Sequence, residues 1–191
     1  MEKYIDTHAH YNHRRFPRIG SDALNAVLDK QREKVETIIN IGTNTESNTS
    51  VLRFVSLYDD FYGMLGFFPT DVWELEPTLC KNADDNWMVF QKQLTNDKIV
   101  GIGEIGLDYN WNKVGDSCVG ESAQKVQKKW FRRQLNLARE LNLPVSIHSR
   151  DAEADTLAIF DEYESVSGVI HCFSYGRSAA RKALDKGLHL G

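Results

Sequence analysis

The stretch "FRRQLNLARELNLPVSIHSRDA", residues 131–152, carries two structural periods back to back. Phe131, Leu135 and Ala138 recur at i, i+4 and i+7, which makes one buried stripe on a helix predicted over Ala123–Leu143. A short apolar run, Pro144–His148, follows and reads as a strand that ends in a histidine. The same alternation runs along the chain. Strands are predicted at Tyr4–His10, Thr37–Gly42, Phe61–Gly66, Val100–Gly106 and Gly168–His171, with a seventh starting at Leu188 and a helix at Asp22–Glu36. Strands alternating with helices predict an α/β fold, a parallel sheet with crossover helices. With 191 residues the chain suffices for one sizeable core and is short for two, so residues 1–191 read as a single domain.

Composition narrows the function classes. Hydrophobic residues make up 41% and charged residues 26%, an ordinary globular balance. A net charge of −4 supplies no overall basic field for nucleic acid or an anionic membrane surface, although metal ions or a local patch can still handle phosphates. Cys80, Cys118 and Cys172 are scattered without a CxxC pair, the pattern of reduced thiols. The start, "MEKYIDTHAHYN", has no signal-peptide architecture, and no apolar run approaches membrane-spanning length. A cytoplasmic protein with no membrane partner is expected.

Side chains alternate along a strand, so Asp6, His8 and His10 in "YIDTHAHYN" (residues 4–12) share one face. An HxH pair alone is a weak signal. The other strand ends strengthen it: "VGIGEIGLDY" places Glu104 late in its strand, the strand in "LPVSIHSRD" ends on His148, and the strand in "GVIHCF" ends on His171. Gly101, Gly103 and Gly106 leave room for close backbone approach around Glu104. Four of the six histidines and a glutamate thus fall at carboxyl ends of strands, where α/β barrels build their sites. Imidazole and carboxylate without thiolate suit Mg, Mn, Zn or Fe. Five ligands exceed one tetrahedral ion's need, so two divalent ions are expected, with Glu104 bridging and tuning the attacking water as the catalytic group. Ions about 3.5–4 Å apart are the usual arrangement for attack on phosphate esters.

Four pieces in order, "DTHAH", "GEIGLDY", "FRRQLNLARELNLPVSIHSRDA" and "HCFSYG", span nearly the whole chain. Together they resemble the TatD-type metal-dependent deoxyribonucleases, within the metallo-hydrolase barrels. The resemblance implies a TIM-barrel-like (β/α)8 fold and hydrolysis of DNA phosphodiesters with divalent ions. It makes His8, His10, Glu104, His148 and His171 the metal ligands, the same five that strand-end placement selects. Related barrels also cleave other esters and amides, such as aminoacyl esters of tRNA.

Two departures from the family pattern stand out. Phe68 in "GMLGFFPTD" occupies the place of a usual histidine, and it can neither bind metal nor donate to phosphate. The family's last ligand is an aspartate near strand eight, whereas this sequence runs to "DKGLHLG". An eight-unit barrel takes about 250 residues. The expectation is therefore a barrel incomplete at its carboxyl terminus, with six to seven strands and self-association through the open sheet edge. A catalytically inactive, metal-binding remnant is the competing reading.

Other residues have plainer readings. Arg150 fits either a phosphate contact or a salt bridge, and Asp108 either supports Glu104 or caps the next loop. The run "KVQKKWFRR", residues 125–133, with Trp130 among its cations, reads as the solvated face of an amphipathic helix. His13 and His189 are taken as ordinary. Residues 110–124, "NWNKVGDSCVGESAQ", read as a loop after a carboxylate-bearing strand, either at the site or on the surface.

Overall fold

The computed structural model describes residues 3–110, 113–115, 118–163 and 165–191. Among these, the chain runs β1 (Tyr4–Ala9), α1 (Asp22–Arg32), β2 (Val35–Ile41), α2 (Thr45–Leu57), β3 (Phe61–Leu65), a 3-10 turn at Val72–Leu75, and α3 (Ala83–Gln93). It continues with β4 (Ile99–Asp108), β5 (Lys113–Val114), β6 (Cys118–Val119), α4 (Gly120–Leu141), β7 (Val145–Arg150), α5 (Glu153–Phe160), β8 (Gly168–Ile170), α6 (Arg177–Asp185) and β9 (Leu188–Leu190). Seven strands form one sheet in the order β1-β2-β3-β4-β7-β8-β9, and every neighbouring pair in it is parallel. All their carboxyl ends therefore lie on one side. The sheet is an incomplete, TIM-barrel-like α/β fold: it curls enough for His8, at the end of β1, to reach Ser146 on β7. Among the described residues β1 and β9 each pair with one neighbour, and Tyr4 and Ile5 on β1 are 72% and 54% exposed.

Local chemistry sets the element ends. Ser21 accepts from the Leu24 N–H to start α1, and Leu24 and Leu28, one turn apart, bury its inner face. The helix stops at Arg32, short of the Glu36 expected, because the β-branched run from Val35 is drawn into β2 beside β1. At α2, Asn44 and Ser47 satisfy each other's backbone N–H groups in a reciprocal cap. Helix α4 begins at Gly120, earlier than Ala123, and ends at Asn142 in the left-handed region, φ 52°.

Residues 110–124 are less loop-like than their composition implies. β5 and β6 pair antiparallel, Val114 opposite Cys118, and both of those side chains are buried. Their inward packing outweighs the Gly, Ser and Asn content. Trp111, Asn112, Asp116 and Ser117 lie outside the described residues.

The core forms where helices cover the sheet. Phe54 of α2 stacks on Phe61 of β3 at 5.2 Å, and Tyr11 meets Phe61 edge-on at 5.6 Å. Trp130 and Phe131 of α4 are fully buried. Strand β4, at the middle of the sheet, is buried along nearly its whole length, which holds Glu104 on a rigid element.

Candidate metal centre

The carboxyl ends of β1, β4, β7 and β8 converge. His8 lies on β1, and His10 follows it immediately. Tyr11 tethers that segment, because its ring is buried and its N–H donates to Asn40 Oδ1 at 2.8 Å. Asp6 shares the histidines' face by alternation but turns back on its own strand, accepting from the His8 N–H at 3.2 Å.

His8 Nε2 lies 3.1 Å from His10 Nε2, and the two stand 3.5 and 3.4 Å from Glu104 Oε2. Donor atoms of His8, His10 and Glu104 all fall within 4.8 Å of one another. The far side of His10 fixes its chemistry. Nδ1 is 3.1 Å from the Ile41 carbonyl, which only accepts, so Nδ1 carries the hydrogen. In the neutral ring the Nε2 lone pair then points into the cluster, at a carboxylate and a second imidazole. Such a convergence could hold a cation between the groups. A ligating histidine whose outer N–H meets a carbonyl is also the usual support of a metal site. The donor set fits a divalent ion.

Glu104 is 5% exposed. Burial works against its charge, but the adjacent His10, His148 and His8 rings outweigh that and hold its carboxyl far below the usual range. Burial likewise opposes a charge on His10, and Glu104 reverses the balance, raising its pKa.

His148 on β7 stands against the other oxygen of Glu104. Its Nδ1 is 3.1 Å from Glu104 Oε1 and its Nε2 2.9 Å from Asp108 Oδ2. Despite burial, Asp108 and then Glu104 push its pKa up to about 9, so both ring nitrogens donate in this arrangement. His171, just past β8, stacks on His8 with ring centroids 3.4 Å apart and planes 3° from parallel. Burial and then the neighbouring His8 lower its pKa. The five residues singled out in the sequence thus meet at one place: His8, His10 and Glu104 as one donor set, with His148 and His171 flanking it.

A cleft of about 1050 Å³ opens from His10 and Glu104. Its walls carry Arg14, Arg15 and Phe16 from the loop after β1, and Asn44, Phe68 and Asp71 opposite. Phe68 leans on His148 at 4.4 Å, covering the imidazole where a polar residue would extend the site. His13, read as ordinary, also lines this cleft. Asp108 satisfies both of its readings: Oδ2 meets His148, and Oδ1 accepts from the Asn110 N–H at 3.0 Å. Ser146, which touches His8, escaped the sequence reading. Its only signal is a small polar residue inside an apolar strand.

The basic run is structural. Lys129 pairs with Glu76 at 2.7 Å, Lys128 with Asp155 at 3.2 Å, and Arg132 with Glu162 at 2.7 Å. Arg133 lies over the Trp87 and Trp130 rings at 4.6 and 4.8 Å. Arg150 is exposed, and no ion pair engages it among the described residues. No described helix is long and apolar enough to cross a membrane.

Comparison with known proteins places this architecture. The family model described as TatD related DNase matches residues 5–191. The metal-dependent hydrolase YabD of Bacillus subtilis is 34% identical over 189 residues, 97% of this chain and 67% of YabD. The 3'-5' ssDNA/RNA exonuclease TatD of Cronobacter sakazakii is 32% identical over 161 residues, covering 82% of this chain and 55% of the exonuclease. The chain therefore spans about half the length of that relative. The crystal structure of YJJV, a TatD homolog from Escherichia coli K12, superposes with a TM-score of 0.77 at 27% identity, over 98% of this chain and 67% of the other. This chain belongs to the TatD-related DNase family.

Proposed function

We propose that this protein is a divalent-metal-dependent phosphodiesterase that cleaves single-stranded nucleic acid, with DNA as a substrate. The observation that carries this reading is the His10 lone pair, held by the Ile41 carbonyl and aimed at His8 and Glu104. His8, His10 and Glu104 would hold the metal, and His148 and His171 would complete the ligand set. Magnesium, manganese or zinc bound there would make water nucleophilic at neutral pH and stabilise charge on the phosphate oxygens.

The protein's own groups serve that chemistry. Glu104 stays ionised, with Oε2 toward the histidine pair and Oε1 toward His148, so one carboxylate faces two positions and suits a pair of ions. Exonucleases among the relatives support a nucleic-acid substrate. The adjoining cleft supports it too, since Arg14 and Arg15 can meet backbone phosphates and Phe16 and Phe68 offer faces to bases.

The test is degradation of an end-labelled single-stranded oligonucleotide with Mn²⁺. Turnover that stops with EDTA and falls at least about 100-fold in Glu104→Gln is expected. Undiminished turnover by that variant would overturn the reading. Hydrolysis of carboxylic esters without phosphodiesters would replace it by the ester-hydrolase alternative.

A further inference from the structure

Ser146 is completely buried on β7, between the buried apolar residues Val145 and Ile147. Its hydroxyl does not face a backbone neighbour of its own strand. It crosses the sheet interior to His8, with Oγ 3.1 Å from Nδ1 and 138 residues between them in sequence. Among the described residues that is the hydroxyl's one polar contact. Strand β4 makes the space for it: a Cβ on Gly103 would stand 2.7 Å from the Ser146 Cβ.

His8 and His10 therefore have different outer partners. The Ile41 carbonyl can only accept, so His10 is locked in one tautomer. A serine hydroxyl can donate or accept, so it suits either tautomer of His8. We propose that Ser146 is a positioning residue of the metal centre, holding the His8 ring and accepting its Nδ1–H whenever Nε2 donates to a divalent cation. The inference rests on the reading of His8 as a ligand.

The hydrogen count closes. A neutral imidazole carries one N–H. Without a cation, that hydrogen sits on Nε2, facing the His10 lone pair 3.1 Å away, and the Ser146 O–H donates to Nδ1. When Nε2 becomes a ligand, the hydrogen moves to Nδ1 by exchange with water. The hydroxyl then rotates to accept it. Ring position and net protonation stay unchanged, so His8 is ready in both states.

Calorimetric titration with Zn²⁺, together with ¹⁵N spectra of the histidine rings, tests this on the wild type, Ser146→Ala and Ser146→Thr. Loss of an outer partner of a ligating histidine weakens metal affinity roughly 10–100-fold, which is the effect expected for Ser146→Ala. Ser146→Thr, which keeps the hydroxyl, should restore most of the affinity. In the wild type, Zn²⁺ should move the His8 hydrogen from Nε2 to Nδ1. Wild-type affinity in a folded Ser146→Ala protein, or no change of tautomer on Zn²⁺ binding, would overturn the proposal while leaving the centre standing. A wild-type protein that binds no Zn²⁺ would overturn the centre and the proposal together.

Discussion

Gly103→Ala perturbs a close approach between the two strands that carry Glu104 and His148. The added Cβ would stand 2.7 Å from the Ser146 Cβ and 3.1 and 3.2 Å from the Ser146 carbonyl oxygen and nitrogen. The first distance is roughly 0.7 Å short of ordinary van der Waals contact, deep in the repulsive wall. No rotamer change relieves it, because two of the three opposing atoms are backbone and the third is a Cβ. Nor can β4 retreat, since it is buried and paired on both sides by β3 and β7. Overpacking of this kind costs about 1–3 kcal/mol. Urea unfolding should show that loss as a lower midpoint with an unchanged slope. The same displacement moves Glu104 and Ser146 against His8, so Mn²⁺ affinity should fall as well. A stability change under about 0.5 kcal/mol with unchanged Mn²⁺ affinity would refute the tight β4–β7 approach as the device that shapes the site.

Burial, and then the charge of Glu74, push Asp71 up to about 6 from its ordinary 3.8. The folded state therefore binds this proton more tightly than the unfolded chain, and stability falls as pH rises from about 4 through 6. Asp71→Asn removes that loss, so its stability relative to wild type should rise by up to about 3 kcal/mol between pH of about 3 and 7; a difference flat with pH in paired urea melts would contradict this. Glu76→Ala deletes the acceptor of Lys129 Nζ at 2.7 Å and of the buried Trp130 Nε1 at 3.1 Å. The unpaired indole should cost about 1–3 kcal/mol in denaturant unfolding, and a loss within about 0.5 kcal/mol would show another acceptor taking over.

Much of this arrangement was legible in the sequence because the fold and the site share one signal. Short strand-like runs ending in His10, His148 and His171 marked both a parallel strand and the end that carries the candidate site, so the order of elements and the cluster emerged together. The helix boundaries at Arg32 and Gly120 were not legible, since sheet pairing and a left-handed glycine decide them. Residues 110–124 misled because polar composition hides the inward pair Val114 and Cys118. Alternation placed Asp6 with the histidines, but a local bond to the His8 N–H withdrew it. Contacts between distant strands were the least visible. Neither Ser146 beside His8 nor Phe68 over His148 follows from spacing within any one segment.

The central claim is that His8 and His10 hold a divalent cation together with Glu104. Calorimetric titration of Mn²⁺ into the wild type and into His8→Ala/His10→Ala, with circular dichroism confirming the fold of each, tests it most directly. Losing two of three clustered donors, including the one oriented by the Ile41 carbonyl, should abolish most of the binding. Unchanged stoichiometry and affinity in the folded double variant would contradict the account.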